Sequence, residues 1–323
     1  MASWLGQLLN PFRGNGEPAL SLGAFGKHPG WNDHIEDFGL DTDALLTARQ
    51  LLYVQGIGGL IDSAAWDKMA PDEVLPDFGH LAAWFGDADL VVARLWASKD
   101  GKGRARYPMV ICAHAAHVNP AAILPGILPA FQTAENNCRD AATADQVQCI
   151  LESLRNNLRG LLPTAAAANG SASSASHATV ARLLGLTPTS DAWTRVLYSA
   201  ENQLTSFTNA KIPDAQKRIT MKLQSLSVLA QQLRLPTDEA NFADVALFWR
   251  DLIYKIVGGS IPLLFLQPLG QPWIDVIVGC PGVKQLVCLK ATAKGIPPLQ
   301  DIPYNLPQEF RDKAAQTFQE FCA

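Results

Sequence analysis

Strand-length apolar runs stand at both ends of this chain, with a helix-rich middle between them, and that arrangement limits what it can fold into. At the front are ALSLGAFG (19–26), DLVVARLWAS (89–98) and RYPMVICAHA (106–115). At the back are PLLFLQP, WIDVIVG and QLVCLKA, separated by turns that contain Gly and Pro. Neither group makes a comfortable sheet alone. The pattern therefore predicts one α/β fold, a mostly antiparallel central sheet built from residues 20–26, 89–115 and 262–291 with helices on its faces. The predicted layout places the first part of the core in residues 1–137, a large helical insertion in 138–258 and the completing strands and helix in 259–323. No internal repeat is present.

Helical spacing fills in the rest. Asp41 or Thr42 caps a helix with Leu45, Leu46, Leu52, Tyr53, Ile57, Leu60 and Ile61 on its apolar positions, and Gly56, Gly58 and Gly59 either weaken it or mark close packing. Val147, Ile150, Leu151, Leu154, Leu158 and Leu161 share one face of another. Ile219, Leu223, Leu226, Leu229 and Leu233 form a further stripe that Pro236 ends. Thr237, Asp238 and Glu239 open a helix that buries Phe242, Val245, Trp249, Leu252 and Ile256 and stops at Gly258-Gly259. A closing helix is predicted from Pro307. The small, polar stretch TAAAANGSASSASHATV (164–180) reads as a flexible surface loop. Between the two front strands, Lys99-Asp100-Gly101 suits a turn, which predicts a hairpin with a glycine-rich, basic tip.

Composition excludes several functions. Apolar residues make up 48% and charged residues 17%, enough for a large core, and a net charge of −4 gives no general attraction for nucleic acid or anionic membrane. No run approaches the ~18–20 apolar residues of a membrane span, so no membrane insertion is expected. The opening MASWLGQLLNPFRGNGEP has no basic leader before its apolar residues, which argues against a cleaved export signal. Six scattered cysteines without CxxC spacing read as reduced thiols, and a cytoplasmic location is expected.

The richest chemistry lies in LGAFGKHPGWNDHIEDFG, residues 22–39. A phosphate-binding loop needs a glycine five residues before its Gly-Lys pair and a Ser or Thr after the lysine; here Ser21 and His28 hold those places, and Pro29 restrains His28 away from helical geometry. His28 and His34 are six apart, outside the helical pair and common zinc spacings, although a metal-dependent hydrolase using His28, Asp33 and His34 remains the enzymatic alternative. No GxSxG elbow marks a nucleophile. The glycines relax the backbone, Pro29 fixes a dihedral and Asp33 can lock a turn, so the stretch reads as a positioned corner, either a structural clamp or a docking site.

Two segments together resemble a family. Ala24-Phe25-Gly26-Lys27-His28-Pro29-Gly30-Trp31-Asn32-Asp33-His34-Ile35 is similar to the opening of the TagF (ImpM) proteins of type VI secretion systems. Ala97-Ser98-Lys99-Asp100-Gly101-Lys102-Gly103-Arg104-Ala105-Arg106-Tyr107-Pro108-Met109 is similar to their second motif, a Pro-Ser-x-Asp-x-x-Gly-Arg hairpin. Asn32, His34 and Ala97 depart from the family pattern, and Arg106 sits where the family often has an aromatic or small residue. The resemblance covers residues 20–118 and extends to the tail strands, marking a divergent member. It implies a profilin- or longin-like α/β arrangement and a non-catalytic accessory protein that controls assembly by protein–protein contact. A forkhead-associated scaffold protein is the implied partner; no cofactor, metal or small-molecule substrate is expected, and a structural subunit of the apparatus is a further reading. The candidate binding residues are Lys27, His28, Trp31, Asp33, His34, Lys99, Asp100, Arg104, Arg106 and Tyr107.

Overall fold

The computed structural model describes residues 16–75, 78–167, 175–208, 217 and 230–323. Its centre is a seven-stranded sheet of β1 (Ala19–Gly26), β2 (Gly79–Phe85), β3 (Asp89–Trp96), β4 (Met109–Ala116), β5 (Gln231–Pro236), β6 (Leu263–Pro268) and β7 (Trp273–Val278). The strand order is β1-β4-β3-β2-β6-β7-β5, and every neighbouring pair is antiparallel. The helices are α1 (Asp43–Ala48), continued through a π-helical stretch Arg49–Gly58 into α2 (Gly59–Asp62), then α3 (Pro120–Asp140), α4 (Ala144–Ala167), α5 (His177–Leu183), α6 (Asp191–Gln203), α7 (Thr205–Thr208), α8 (Phe242–Val257) and α9 (Gln308–Cys322).

Strand periodicity divides the core in two. Leu90, Val92 and Trp96 of β3 face one layer with Ile123, Phe131, Val147, Trp193 and Trp249, whereas Val91, Ala93 and Leu95 face another with Leu45, Leu52, Ile57 and Leu286. Successive side chains of a strand point to opposite faces, so a strand covered on both sides is apolar along its whole length. That is why β3 and β4 read as continuous apolar runs. Local chemistry fixes several element ends as the spacing predicts. Thr42 caps α1 by accepting from the Leu45 N–H, Gly258 ends α8 in the left-handed region at φ 77°, and Pro307 precedes α9.

Other expectations need correction. β2 lies at the middle of the sheet but has the sequence GHLAAWF, in which two alanines and a histidine hide a strand from propensity. QLVCLKA is a 3₁₀ turn over Gln285–Leu289: Leu286 and Leu289, three apart, are both buried, which matches a three-residue turn. Leu233 belongs to β5, where Leu233 and Leu235 alternate with Arg234 in a two-residue period; the rest of that predicted stripe, Ile219 to Leu229, lies outside the described residues. The middle of the chain thus supplies an edge strand as well as helices, the first of which starts at Pro120. Within 164–180, α4 extends to Ala167 and α5 starts at His177, while 168–174 lies outside the described residues. Leu46 is 49% exposed instead of facing the core, and Gly56 is a close-packing glycine: a Cβ there would sit 2.8 Å from Leu286 Cδ1. No helix among the described residues is long and apolar enough to cross a membrane.

Candidate functional site: a charged corner joining the two motifs

The corner starts where β1 ends. Gly26 has φ 113°, and a Cβ there would meet the Pro108 carbonyl oxygen at 2.3 Å, so only glycine lets β1 turn beside the start of β4. The next residue stays attached: the Lys27 N–H donates to the Pro108 carbonyl at 3.2 Å, and the Ile35 N–H returns to the Gly26 carbonyl at 2.8 Å. Residues 27–34 therefore form a loop closed at its base. Gly30 lies so near the α3–α4 junction that a Cβ would come within 2.6 Å of the Ala144 nitrogen. On the other side, the Gly101 N–H of the hairpin tip donates to the Trp31 carbonyl at 2.6 Å.

Asp100 is the centre of this assembly. Its Oδ2 accepts from Lys27 Nζ at 2.8 Å and from Arg104 Nε at 2.7 Å; its Oδ1 accepts from the backbone N–H groups of Lys102 and Arg104, each at 3.0 Å. Lys27 is 4% exposed and Asp100 1%. Burial alone would push the Asp100 carboxyl up, but the Lys27 ammonium and the converging N–H groups outweigh it and hold the carboxyl well below the usual carboxylate range. The pair is thus a buried ion pair, its carboxylate accepting from four donors, that links the two motifs.

Outside this pair the corner faces solvent. The half-exposed Arg104 reaches back through Nη2 to the Asn32 carbonyl at 2.9 Å and to Asp33 Oδ1 at 3.2 Å. Asp33 also lies 3.1 Å from His34 Nδ1 and 3.9 Å from Lys27 Nζ. His34 stands edge-on to Tyr107, and the Lys27 ammonium lies 5.7 Å from the centre of the same ring. Arg106 turns away from the opening loop to pair with Asp67 at 3.5 Å. Lys99 and Lys102 are exposed, and their ammonium groups make no ion pair among the described residues.

His28 points inward. The Gly30 N–H donates to Nδ1 at 3.0 Å, which leaves Nε2 as the protonated nitrogen, donating to the Cys138 carbonyl at 2.7 Å. Both nitrogens are used by the neutral ring, and burial lowers its pKa against the raising effect of the Cys138 carbonyl. His28 and His34 therefore do not converge, and among the described residues no group of three His, Cys, Asp or Glu side chains is placed to hold a metal. The nearby Cys138 thiol is pushed up to about 12 by burial, far from the thiolate form.

The structure thus assembles every candidate residue at one corner but divides them. Lys27, His28 and Asp100 are buried; Trp31 and Tyr107 are half-buried; Asp33, His34, Lys99, Arg104 and Arg106 are exposed. Sequence reasoning missed the end of α3, which contributes the Cys138 carbonyl and Arg139. Arg139 donates to Glu135 at 2.9 Å, and Glu135 also accepts from the buried Arg94 at 2.5 Å. Between this helix end and the hairpin limb lies a cleft of about 330 Å³, floored by His28, Trp96 and Cys138 and walled by Pro29 and Ala105, with Lys99 and Arg139 at its edge.

A second polar junction ties α5, α8 and α9. His177 Nε2 lies 3.1 Å from Asp251 Oδ2, its Nδ1 lies 2.9 Å from the Phe321 carbonyl oxygen, and its ring stacks on Phe321 with centres 4.3 Å apart. Comparison of the chain with protein-family models, with curated proteins and with solved structures returns no match.

Proposed function

We propose that this chain is a non-catalytic accessory protein of a type VI secretion system, a divergent TagF/ImpM-like member that acts in the cytoplasm by protein–protein contact to control assembly. The observation that carries this reading is the buried Lys27–Asp100 pair, which joins the two motifs on which the resemblance rests. Those motifs are 73 residues apart in sequence, and their defining lysine and aspartate hold one rigid corner. The inner half of the corner is a clamp. The outer half, Asp33, His34, Lys99, Lys102, Arg104 and Arg106, is a fixed arrangement of exposed charge, mostly basic on a chain of net charge −4. Such arrangements chiefly raise association rates and select partners. The enzymatic alternative would require His28 to abandon both of its protein partners.

The test is co-purification with the secretion components, a forkhead-associated scaffold protein first among them. The wild-type chain should retain that protein, and a Lys102→Glu, Arg106→Glu variant should lose it in buffer of low ionic strength. Arg104 is a poor probe because it also ties the loop through Asp100 and Asn32. If no secretion component is retained, or if retention is indifferent to the two reversals, the reading fails.

A further inference from the structure

We propose that the cleft between the hairpin limb and the end of α3 receives an apolar side chain carried on an acidic segment of a partner protein. This deepens the docking reading above and rests on it.

The floor of the cleft decides what can enter. His28 is its most polar element, yet Nδ1 already accepts from Gly30 and Nε2 already donates to Cys138. Trp96 and Cys138 add buried apolar surface, and Pro29 and Ala105 add apolar walls. Ser98 adds one hydroxyl to the lining, so a polar group placed there would lose its water in exchange for a single partner at most. An aromatic or large aliphatic side chain meets no such penalty. At about 330 Å³ the space lies at the lower end of ligand sites, which span roughly 300–1,000 Å³, and suits one large side chain.

The rim decides what flanks that side chain. Arg139 is 46% exposed at its side chain and shares Glu135 with Arg94, so two guanidinium groups stand against one carboxylate. Lys99, at the same edge, makes no ion pair among the described residues. Asp100 cannot neutralise this edge, because its carboxylate is buried and spent on Lys27 and Arg104. Lys102 extends the basic surface along the tip. An apolar floor within a cationic rim is complementary to an apolar anchor flanked by Asp or Glu.

The experiment uses the full chain, labelled with ¹⁵N, and four probes at low salt. These are a capped Glu/Asp heptapeptide with central Phe, the same peptide with central Ala, a Lys heptapeptide with central Phe, and vesicles containing phosphatidylserine. The acidic Phe peptide should shift the amides of Ala97, Lys99, Ala105 and Arg139. Its Ala counterpart should bind at least roughly tenfold more weakly, the change expected for burial of one large apolar side chain. Ala105→Trp, at an exposed position, should fill the cleft and abolish the shifts, and Lys99→Glu should reverse the preference between acidic and basic peptides. Equal binding of the Phe and Ala peptides, shifts located elsewhere, or binding of the vesicles alone would overturn the proposal. The two readings separate cleanly. Retention of a secretion component that survives Ala105→Trp rejects the cleft while leaving the proposed function standing. Peptide binding without any retained secretion component does the reverse.

Discussion

His28 and His177 each contact two protein groups through both ring nitrogens, yet their surroundings ask for opposite charge states. At His28 one neighbour is a donor, the Gly30 N–H, and the other an acceptor, the Cys138 carbonyl, so the neutral ring satisfies both. At His177 both neighbours, the Asp251 carboxylate and the Phe321 carbonyl, are acceptors, and only the doubly protonated ring satisfies both. The shifts follow: burial lowers His28, while the bond to Asp251 raises His177 against the effect of burial. The charged corner is therefore built around fixed charges and a neutral histidine, whereas the junction of α5, α8 and α9 depends on a proton. Hydrogen-bond polarity, rather than the residue type, sets the role.

The largest expected effect comes from breaking the corner. Lys27→Met removes the buried cation from Asp100, which keeps Arg104 and two backbone N–H donors, and should lower stability in urea unfolding by more than the ~0.5 kcal/mol of an ordinary surface substitution. Adding Asp100→Leu should deepen that loss, because it also takes the acceptor from Arg104 Nε and from the Lys102 and Arg104 N–H groups. A single variant within about 0.5 kcal/mol of wild type, the range of ordinary surface substitutions, would show that the pair does not hold the corner.

A smaller, pH-dependent effect sharpens the contrast. His177 has a raised folded pKa, so its contribution is complete below the ordinary histidine value of about 6.5 and is lost as pH rises through the folded value. His28 has a lowered folded pKa; its contribution is present above about 6.5 and fades as pH falls toward the folded value. His177→Gln should therefore lower stability most on the acid side, where that contribution is complete, and so flatten the decline as pH rises. NMR titration of the two imidazoles should place His177 above His28; the reverse order would contradict both assignments. The smallest effect belongs to the tip: Lys102→Glu with Arg106→Glu should change unfolding free energy by no more than about 0.5 kcal/mol per site. A larger loss would make Arg106 a structural tie to Asp67.

The ingredients of the corner were legible, a hairpin tip rich in Lys, Asp and Arg and a loop with Lys27 and Asp33 on a rigid turn, whereas the pairing of Lys27 with Asp100 needed the fold. The partner of His28 was not legible, since a backbone carbonyl such as that of Cys138 exists at every residue and leaves no mark in sequence. The same difference explains the fold. β3 and β4 announced themselves with β-branched runs, and α8 with its stripe and caps. β2 and β5 are held by their neighbours: Arg234 of β5 makes a paired contact with Asp275 of β7 at 2.9 Å for each bond, a tertiary reason that propensity cannot contain.

The order of the sheet has a consequence for how the chain reaches it. β1 to β4 pair among themselves, as do β5 to β7, and among the described residues the strands of the two groups pair with each other along β2 and β6, where His80 faces Pro268. Closing that seam confines a loop spanning more than half the chain, and the entropy of closure grows as about (3/2)RT times the logarithm of loop length. Both halves can zip locally while the seam is still open, so it forms late. Until then GHLAAWF and LLFLQP are bare strand edges with no charge along them, the kind that pair with a copy of themselves. Refolding from denaturant should be clean in dilute solution and lose yield to aggregation as the chain is concentrated, with β2 and β6 as the adhesive edges.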